Sequence, residues 1–296
     1  MNEPARHRVS VLQLLVASAI WGFAFVAQRA GMEHVGPFTF NGVRFLLGSA
    51  VLVPFLLLRR RAVPPEPRVD GTVSGTVLAG VVLFASASLQ QTGIVHTTAG
   101  KAGFITGLYV VIVPLLGLLR RQRIGLAVWI GAALAVGGLY LLSVTGRFAI
   151  GLGDGLVLAS ALGWAVHVHV IGWLAGRVRP LRVAAVQFAI CGALSLVGAL
   201  LVETVAVEDV LRAGIPILYA GLLSTGVAYT LQVVGQRRVD PSRAGILLSL
   251  EGAFAVLGGW LLLGETMTAR MLAGCALMLL GMIASQARVA RRHVGS

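Results

Sequence analysis

The sequence predicts an all-α membrane protein of ten transmembrane helices, arranged as two inverted five-helix repeats with both termini in the cytoplasm. Three observations support this fold. Of the 296 residues, 57% are hydrophobic and only 12% are charged, with a mean hydropathy of +0.89, whereas an average soluble domain carries about 25% charged residues. Apolar runs long enough to span a bilayer recur along the whole chain. Segments about 142 residues apart also resemble each other.

The apolar runs define ten predicted helices that are separated by short loops. A helix that crosses a bilayer needs about 20 apolar residues. No soluble domain fits between the spans, so any function is expected inside the helix bundle. The predicted spans are residues 9–28, 37–58, 72–93, 98–119, 124–142, 154–174, 182–203, 213–235, 243–263 and 268–286.

The distribution of basic residues predicts the orientation of these helices. The net charge is +13, from 24 Lys and Arg against 11 Asp and Glu. With the amino terminus in the cytoplasm, 18 basic residues fall in inner loops and tails and four in outer loops, as the positive-inside rule requires. Because the positive charge is spread over every inner loop instead of forming one patch, no nucleic-acid partner is expected.

An internal duplication predicts two domains. Ala102-Gly103 and Gly107-Leu108 recur 142 residues later as Ala244-Gly245 and Ser249-Leu250. Further matches, at an offset of 142 or 143, pair residues 17–21 with 159–164, 44–45 with 187–188 and 131–138 with 274–281. The first repeat is therefore assigned to residues 1–145 and the second to residues 146–296. Each repeat has an odd number of helices, so the second lies inverted, and a substrate site is expected near the midplane where the repeats meet.

Several motifs carry a family resemblance. They are WGFAF at Trp21 to Phe25, VRF at Val43 to Phe45, Gln91-Thr92-Gly93, and LLSLEGAFAVLGGWLLLGE at Leu247 to Glu265. Together they resemble the ten-helix EamA-type exporters of the drug/metabolite transporter superfamily over essentially the whole chain. The resemblance implies a pathway lined by the first, third, fourth, sixth, eighth and ninth helices. The pattern ITGLYVVIVP at Ile105 to Pro114 is similar to amino-acid exporters, including those for aromatic amino acids.

Glu251 is the acidic residue that lies well inside a predicted span. A carboxylate at the centre of a membrane helix costs about 2.5–3.5 kcal/mol, so it usually faces a partner or a water-filled cavity. Two functional interpretations are a proton-titrated switch and an anchor for the ammonium group of a zwitterionic substrate. The structural alternative is a protonated carboxyl group that bonds to a neighbouring helix. Family members often have Glu-Pro where this chain has Glu251-Gly252, so a softer helix break is expected there.

Aromatic and amide side chains fall at mid-depth in the spans that the resemblance assigns to the pathway. With Glu251 they are expected to form an apolar cavity with polar contacts, although plain packing accounts equally well for any single ring. The proposed cavity residues are Trp21, Phe25, Gln90, Gln91, Tyr109, Trp164, His167, Tyr229, Gln232 and Glu251. His167 and His169 point about 200° apart on a helix, and no catalytic motif is present. No metal, cofactor or catalytic residue is therefore expected.

Small residues recur at close spacing in the fourth and ninth predicted helices. Such residues let helix backbones approach closely, either as tight packing or as a movable gate contact. The proposed gating and packing residues are Gly103, Gly107, Pro114, Gly245 and Gly252. Pro114 removes a helical bond to the carbonyl group of Val110, so the fourth helix is expected to bend just past Tyr109.

Two basic side chains lie in or beside the spans. Arg44 lies about seven residues from the outer end of the second span and is expected to snorkel outward. The alternative is contact with a substrate carboxylate or with an acidic residue such as Glu265. Lys101, at the outer mouth of the fourth span, is also expected to snorkel.

These features predict a secondary transporter that exports small amphipathic metabolites by alternating access around a midplane cavity, with apolar or aromatic amino acids as the first choice of substrate. It is expected in the lipid bilayer of a bacterial inner membrane, as a monomer or weak homodimer. The alternatives are a multidrug or other metabolite exporter of the same fold and, from another class, a membrane-embedded lipid-modifying enzyme.

Overall fold

The computed structural model describes residues 3–62, 70–97, 99–143, 151–263 and 267–292. Across these ranges the chain is helical, with no strand beyond an isolated bridge between Ala175 and Val178. The predicted domain boundary at residues 145 and 146, Glu265 and the side chain of Lys101 all lie outside the described part of the chain.

The predicted spans are present as helices whose bounds agree within a few residues. Nine helical segments in the described ranges are long and apolar enough to cross a membrane, and the fifth span has a shorter apolar helix, Leu126–Leu141. The prediction of an all-α membrane protein is confirmed at this level. The elements are α1 (Glu3–Gly31), α2 (Pro37–Ala62), α3 (Thr72–Val95), α4 (Ala99–Gly107), α5 (Tyr109–Leu119), α6 (Leu126–Ser143), α7 (Leu152–Leu174), α8 (Pro180–Val202), α9 (Val207–Arg212), α10 (Gly214–Leu218), a π-helical segment (Tyr219–Tyr229), α11 (Thr230–Gly235), α12 (Pro241–Leu248), α13 (Glu251–Leu263) and α14 (Ala269–Arg292).

Three predicted spans are interrupted. The fourth breaks at Leu108 between α4 and α5, the ninth breaks at Ser249 and Leu250 between α12 and α13, and the eighth contains the π-helical segment. The two breaks fall at matched positions, because Leu108 and Leu250 are 142 residues apart. The second break forms although Gly252 stands where proline was expected from the family resemblance. Irregular backbone at membrane depth occurs only where protein buries it or a cavity adjoins it, so these breaks mark the middle of the bundle.

The break in the fourth span lies before Tyr109, whereas Pro114 was expected to bend the helix just past Tyr109. The amide of Leu108 donates to the carbonyl oxygen of Ile105 at 3.2 Å, and the amide of Val111 donates to that of Leu108 at 3.0 Å. These bonds span three residues, which is the tighter pattern that commonly ends a helix. Pro114 lies buried inside α5, and the helix continues through it.

Reciprocal contacts join the two halves of the chain. The most extensive helix pairs are α6 with α14, α2 with α8, and α3 with α7. A Cβ atom on Gly131 would lie 2.7 Å from the carbonyl oxygen of Gly281, and one on Gly138 would lie 2.5 Å from that of Gly274. In the predicted repeat Gly131 corresponds to Gly274 and Gly138 to Gly281, so exchanging the halves maps this pair of contacts onto itself. The contacts support a two-fold relation, and the inverted arrangement stays a prediction.

Gly138→Ala is expected to destabilise the protein by about 1–3 kcal/mol, because the added methyl group would press on the main chain of Gly274, which cannot rotate away. Thermal unfolding of the purified protein in detergent measures the effect. Gly137→Ala is the matched control, since the nearest atom to its Cβ would be 3.8 Å away and alanine favours the helix. Equal melting temperatures for the two variants would contradict the close crossing of α6 and α14.

Candidate functional site

A cavity lies where the broken helices α4–α5 and α12–α13 meet α1, α7 and the π-helical segment. Aromatic rings, amide groups and one side chain of each charge line this cavity. The wall consists of Trp21, Phe25, Gln28, Arg44, Gln90, Thr106, Tyr109, Trp164, Val168, Ser224, Tyr229, Gln232, Leu248 and Glu251.

Eight of the ten proposed cavity residues lie on this wall, and Gln91 and His167 do not. Neighbouring residues on a helix point about 100° apart, so only one of Gln90 and Gln91 can face the cavity. The side-chain amide of Gln91 instead donates to the sulfur of Met32 at 2.6 Å. His167 lies behind the wall, where its Nε2 is 2.9 Å from Oε1 of Gln187.

Ten wall residues form five pairs of counterparts in the predicted repeat, each at an offset of 142 or 143. The pairs are Trp21 and Trp164, Phe25 and Val168, Gln90 and Gln232, Thr106 and Leu248, and Tyr109 and Glu251. A cavity on a two-fold axis is lined by both members of each pair, so this wall supports a site between the repeats. The same offset, applied to Phe25, is the signal that would have found Val168 from the sequence, whereas Thr106 and Leu248 are counterparts of each other and neither was proposed.

Tyr229 is the centre of an aromatic wall. Its ring centroid lies 4.6 Å from that of Trp21 and 6.1 Å from that of Trp164, which it stacks upon. Behind the wall, Phe45 and Phe188 contact the same ring at 5.9 and 5.8 Å. Tilted and stacked ring pairs add about 0.5–1.5 kcal/mol each beyond the area they bury. The cavity therefore has one broad apolar surface that is held by ring contacts on both sides.

Hydrogen bonds hold the indole groups of the wall. Nε1 of Trp164 donates to Oε1 of Gln90 at 3.1 Å, and Nε2 of Gln90 donates to the hydroxyl oxygen of Thr106 at 3.3 Å. Nε1 of Trp21 donates to the carbonyl oxygen of Ser224, in the π-helical segment, at 3.1 Å. Because both indole N–H groups are satisfied by the protein, the rings present their apolar surfaces to the cavity.

Glu251 and Tyr109 meet where the two helix breaks face each other. Tyr109 is the first residue of α5 and Glu251 the first of α13, and the hydroxyl group of Tyr109 lies close enough to the carboxyl group of Glu251 for the two to interact. A carboxylate at the start of a helix is also favoured by the helix dipole. No basic side chain forms an ion pair with Glu251 within the described ranges. Glu251 thus has a neighbour on another helix, as the structural interpretation requires. It also lines the cavity, as both functional interpretations require.

Arg44 stays inside the bundle, so the expectation that it snorkels outward is wrong. It is only 3% exposed and lies on the cavity wall. Its Nε donates to Oδ1 of Asn41 at 2.9 Å, and its guanidinium carbon lies 4.6 Å from the centroid of the Phe45 ring. These two contacts hold the side chain inward. Glu265, the other expected partner, lies outside the described residues.

The proposed packing residues differ in what they contact. Gly107 and Gly252 both accommodate Leu139 of α6, since Cβ atoms at these glycines would lie 2.5 and 2.9 Å from its side chain. Gly245 is in ordinary van der Waals contact. Gly103 has no atom within 4 Å of an added Cβ in the described part of the chain, so it makes no close helix contact in this conformation.

An apolar cluster separates the cavity from the end of the bundle that carries the amino terminus. Leu14, Val113 and Leu247 are fully buried members of this cluster. Each lies one or two helical turns from a wall residue of its own span, in the direction of that end. Nε2 of His169 also lies 2.8 Å from the carbonyl oxygen of Val113 and links α7 to α5. This end of the cavity is therefore bounded by packed apolar side chains.

Comparisons with known proteins agree with this architecture. The model of the EamA-like transporter family matches residues 8–144 and, a second time, residues 151–285. An uncharacterized transporter of Archaeoglobus fulgidus is 30% identical over 288 residues, which cover 97% of this chain and 89% of that protein. The uncharacterized inner membrane transporter YedA of Escherichia coli K12 is 27% identical over 262 residues, 84% of this chain and 81% of its own. One crystal structure is similar with a TM-score of 0.77, at 22% identity and over 97% of this chain and 99% of the other, a likeness that shows the fold alone.

Tyr109→Phe and Glu251→Gln are expected to be coupled by about 0.5–3 kcal/mol in the free energy of unfolding, because the first removes the hydroxyl group beside Glu251 and the second removes the carboxyl group with which that hydroxyl group interacts. Denaturant titration of the wild type, both single variants and the double variant in detergent gives the coupling energy. Tyr219→Phe combined with Glu251→Gln is the control, since the hydroxyl group of Tyr219 donates to the carbonyl oxygen of Ile20 at 3.0 Å instead. A coupling no larger than that of the control would show that Tyr109 and Glu251 do not interact.

Proposed function

The chain belongs to the EamA-like transporter family, and from this premise we propose that it exports small amphipathic metabolites, in first place amino acids with apolar or aromatic side chains. The family match, the transporter relatives and the apolar helices make it a multi-pass membrane transporter. The proposal adds the cargo, the outward direction and alternating access.

The observation that carries the proposal is the two-sided cavity. One side is the aromatic surface around Trp21, Trp164 and Tyr229, and the other holds the carboxyl group of Glu251 with the hydroxyl group of Tyr109. An apolar amino acid has the same two-sided character, with a hydrophobic side chain beside a charged ammonium group. The ammonium group would bind Glu251, and the side chain would pack against the rings, where a cation is also attracted to the ring faces.

Alternating access is supported by the arrangement of helices around the cavity. The cluster around Leu14, Val113 and Leu247 bounds one end of the cavity, and both discontinuous spans break beside the cavity. In transporters with repeated halves, one part moves against the other around a fixed central site. With the amino terminus in the cytoplasm, as the positive-inside rule predicts, this cluster would form the cytoplasmic gate. Opening this cluster would admit the cargo from inside.

A second candidate keeps the fold and changes the cargo to drugs or other metabolites. The aromatic wall also suits hydrophobic cations, whose charge Glu251 would bind. The lipid-modifying enzyme is the weaker alternative, because the family model and the named relatives are transporters. A bacterial inner membrane is the proposed location, which the inner membrane transporter of E. coli supports. Assembly as a monomer or weak homodimer stays an expectation.

Purified protein in proteoliposomes is expected to exchange apolar or aromatic amino acids. Vesicles loaded with unlabelled phenylalanine or leucine should take up the labelled amino acid faster than protein-free vesicles, because the cavity suits both its ammonium group and its side chain. A labelled hydrophobic cationic dye is tested in parallel. Uptake of the dye without uptake of any amino acid would favour the multidrug alternative and contradict the preferred cargo.

Glu251→Gln is expected to make uptake independent of an imposed pH gradient, because the glutamine side chain can neither bind nor release a proton. Wild-type and variant proteoliposomes are compared at equal and at unequal internal and external pH. Gln28→Leu, which changes a wall residue without removing a carboxyl group, controls for general damage to the cavity. A gradient effect that persists in Glu251→Gln would exclude Glu251 from proton coupling.

A further inference from the structure

Arg44 brings a full positive charge to the wall of the cavity. It lies seven residues after Pro37, the first residue of α2, which corresponds to about 10 Å of helix. A basic side chain at membrane depth costs about 2.5–3.5 kcal/mol and usually pairs with an acid or lines an aqueous pathway. Arginine also remains charged in proteins under almost all conditions. A negatively charged group that enters the cavity would therefore find a partner at this position.

The protein uses only part of the hydrogen-bonding capacity of this guanidinium group. Nε donates to Oδ1 of Asn41 at 2.9 Å, and the rings of Phe45 and Phe40 lie beside the group at 4.6 and 5.6 Å. A guanidinium group has five N–H donors in a rigid fork. Among the described residues no acceptor takes the donors of the two terminal nitrogens. These nitrogens have the geometry that binds both oxygens of a carboxylate.

The acidic residue of the cavity does not neutralise Arg44. Glu251 lies close to the hydroxyl group of Tyr109, and the hydroxyl group of Tyr229 lies within electrostatic range of both Glu251 and Arg44. Across the described ranges, no ion pair joins the two charges. The wall thus presents one basic and one acidic side chain, both within electrostatic range of the Tyr229 phenol. A zwitterion carries the complementary pair of charges.

The two charges break the pseudo-symmetry of the wall. The repeat counterpart of Arg44 is Gln187, which is buried behind the wall and bonds with His167. The counterpart of Glu251 is Tyr109, which carries no charge at neutral pH. The paired scaffold therefore offers one site for a negative group and one for a positive group, so a zwitterion can bind in only one orientation.

We infer that Arg44 binds the carboxylate of the cargo and selects for molecules that carry one. Its terminal nitrogens donate to the two carboxylate oxygens, while Asn41 and Phe45 hold the plane of the guanidinium group. A cargo that lacks the carboxylate leaves a buried cation unpaired, and sites of this kind reject such analogues strongly. The inference rests on the proposed amino-acid transport and names the anionic half of the same site.

The test compares phenylalanine with phenethylamine, which lacks only the carboxylate, in counterflow with reconstituted protein. The wild type is expected to exchange phenylalanine and to discriminate against the amine. Arg44→Gln is expected to lose about 30-fold or more of the phenylalanine exchange while exchanging the amine at least as well as the wild type does. Arg44→Lys keeps the charge without the fork and should retain part of the preference. Arg212→Gln is the matched control, because Arg212 is exposed on α9 and pairs with Asp209.

The outcomes separate the inference from the proposed function. An unchanged preference for phenylalanine in Arg44→Gln would overturn the role of Arg44. Glu265→Gln with the same loss as Arg44→Gln would assign Arg44 to an ion pair with Glu265 and overturn it as well, whereas wild-type behaviour of Glu265→Gln supports it. If Arg44→Gln fails to fold, a wild-type preference in Arg44→Lys would overturn the fork geometry. Absence of exchange of any amino acid by the wild type would overturn the proposed function itself.

Discussion

The bilayer requires every backbone N–H and C=O group at membrane depth to find a partner within the protein, and this constraint decides where the chain can be irregular. In the described parts of the spans α-helices satisfy it, except that bonds spanning three residues replace the α-helical pattern beside Leu108 and Leu250 and that one segment is π-helical. All three adjoin the cavity. The breaks make Tyr109 and Glu251 the first residues of new helices, where unpaired N–H groups favour negative charge. The same irregularity that makes room for a ligand therefore also supports the one carboxyl group on the wall.

Within the bundle, contacts shared by the two repeats hold the helices together, whereas wall positions that differ between the repeats carry the charged groups. Reciprocal contacts such as those of Gly131 and Gly138 require close backbone approach and hold α6 against α14. On the wall, by contrast, the charged residues have uncharged counterparts. The counterpart of Glu251 is Tyr109, and the counterpart of Arg44 is a glutamine. A symmetric wall would bind a ligand equally in two orientations. The charges remove that degeneracy without disturbing the packing of the helices.

Hydropathy and the repeat offset predicted the depth of each residue but not its rotation about the helix axis. The spans, and eight wall residues, followed from apolar length and mid-depth position. Gln91 and His167 have the right depth and point away from the cavity, because adjacent helix positions differ by about 100°. Because arginine has a long side chain, Arg44 was predicted to reach the membrane surface, whereas Asn41 and Phe45 hold it inward. Such contacts depend on side-chain rotamers or on residues that are far apart in the sequence, so hydropathy and spacing do not predict them.

Charge balance explains why a zwitterion suits this site. In the proposed cycle the basic side chain of Arg44 and the acidic side chain of Glu251 have no ionic partner among the described residues, and an amino acid supplies a partner for each. The loaded site then has no net charge beyond that of the empty one, so moving it between the two sides transfers no charge across the membrane potential, which otherwise costs about 2.3 kcal/mol per charge per 100 mV. Export driven by a concentration gradient then needs no accompanying ion. A proton on Glu251 would remove the anion, leave Arg44 unbalanced, and favour release of the ammonium group.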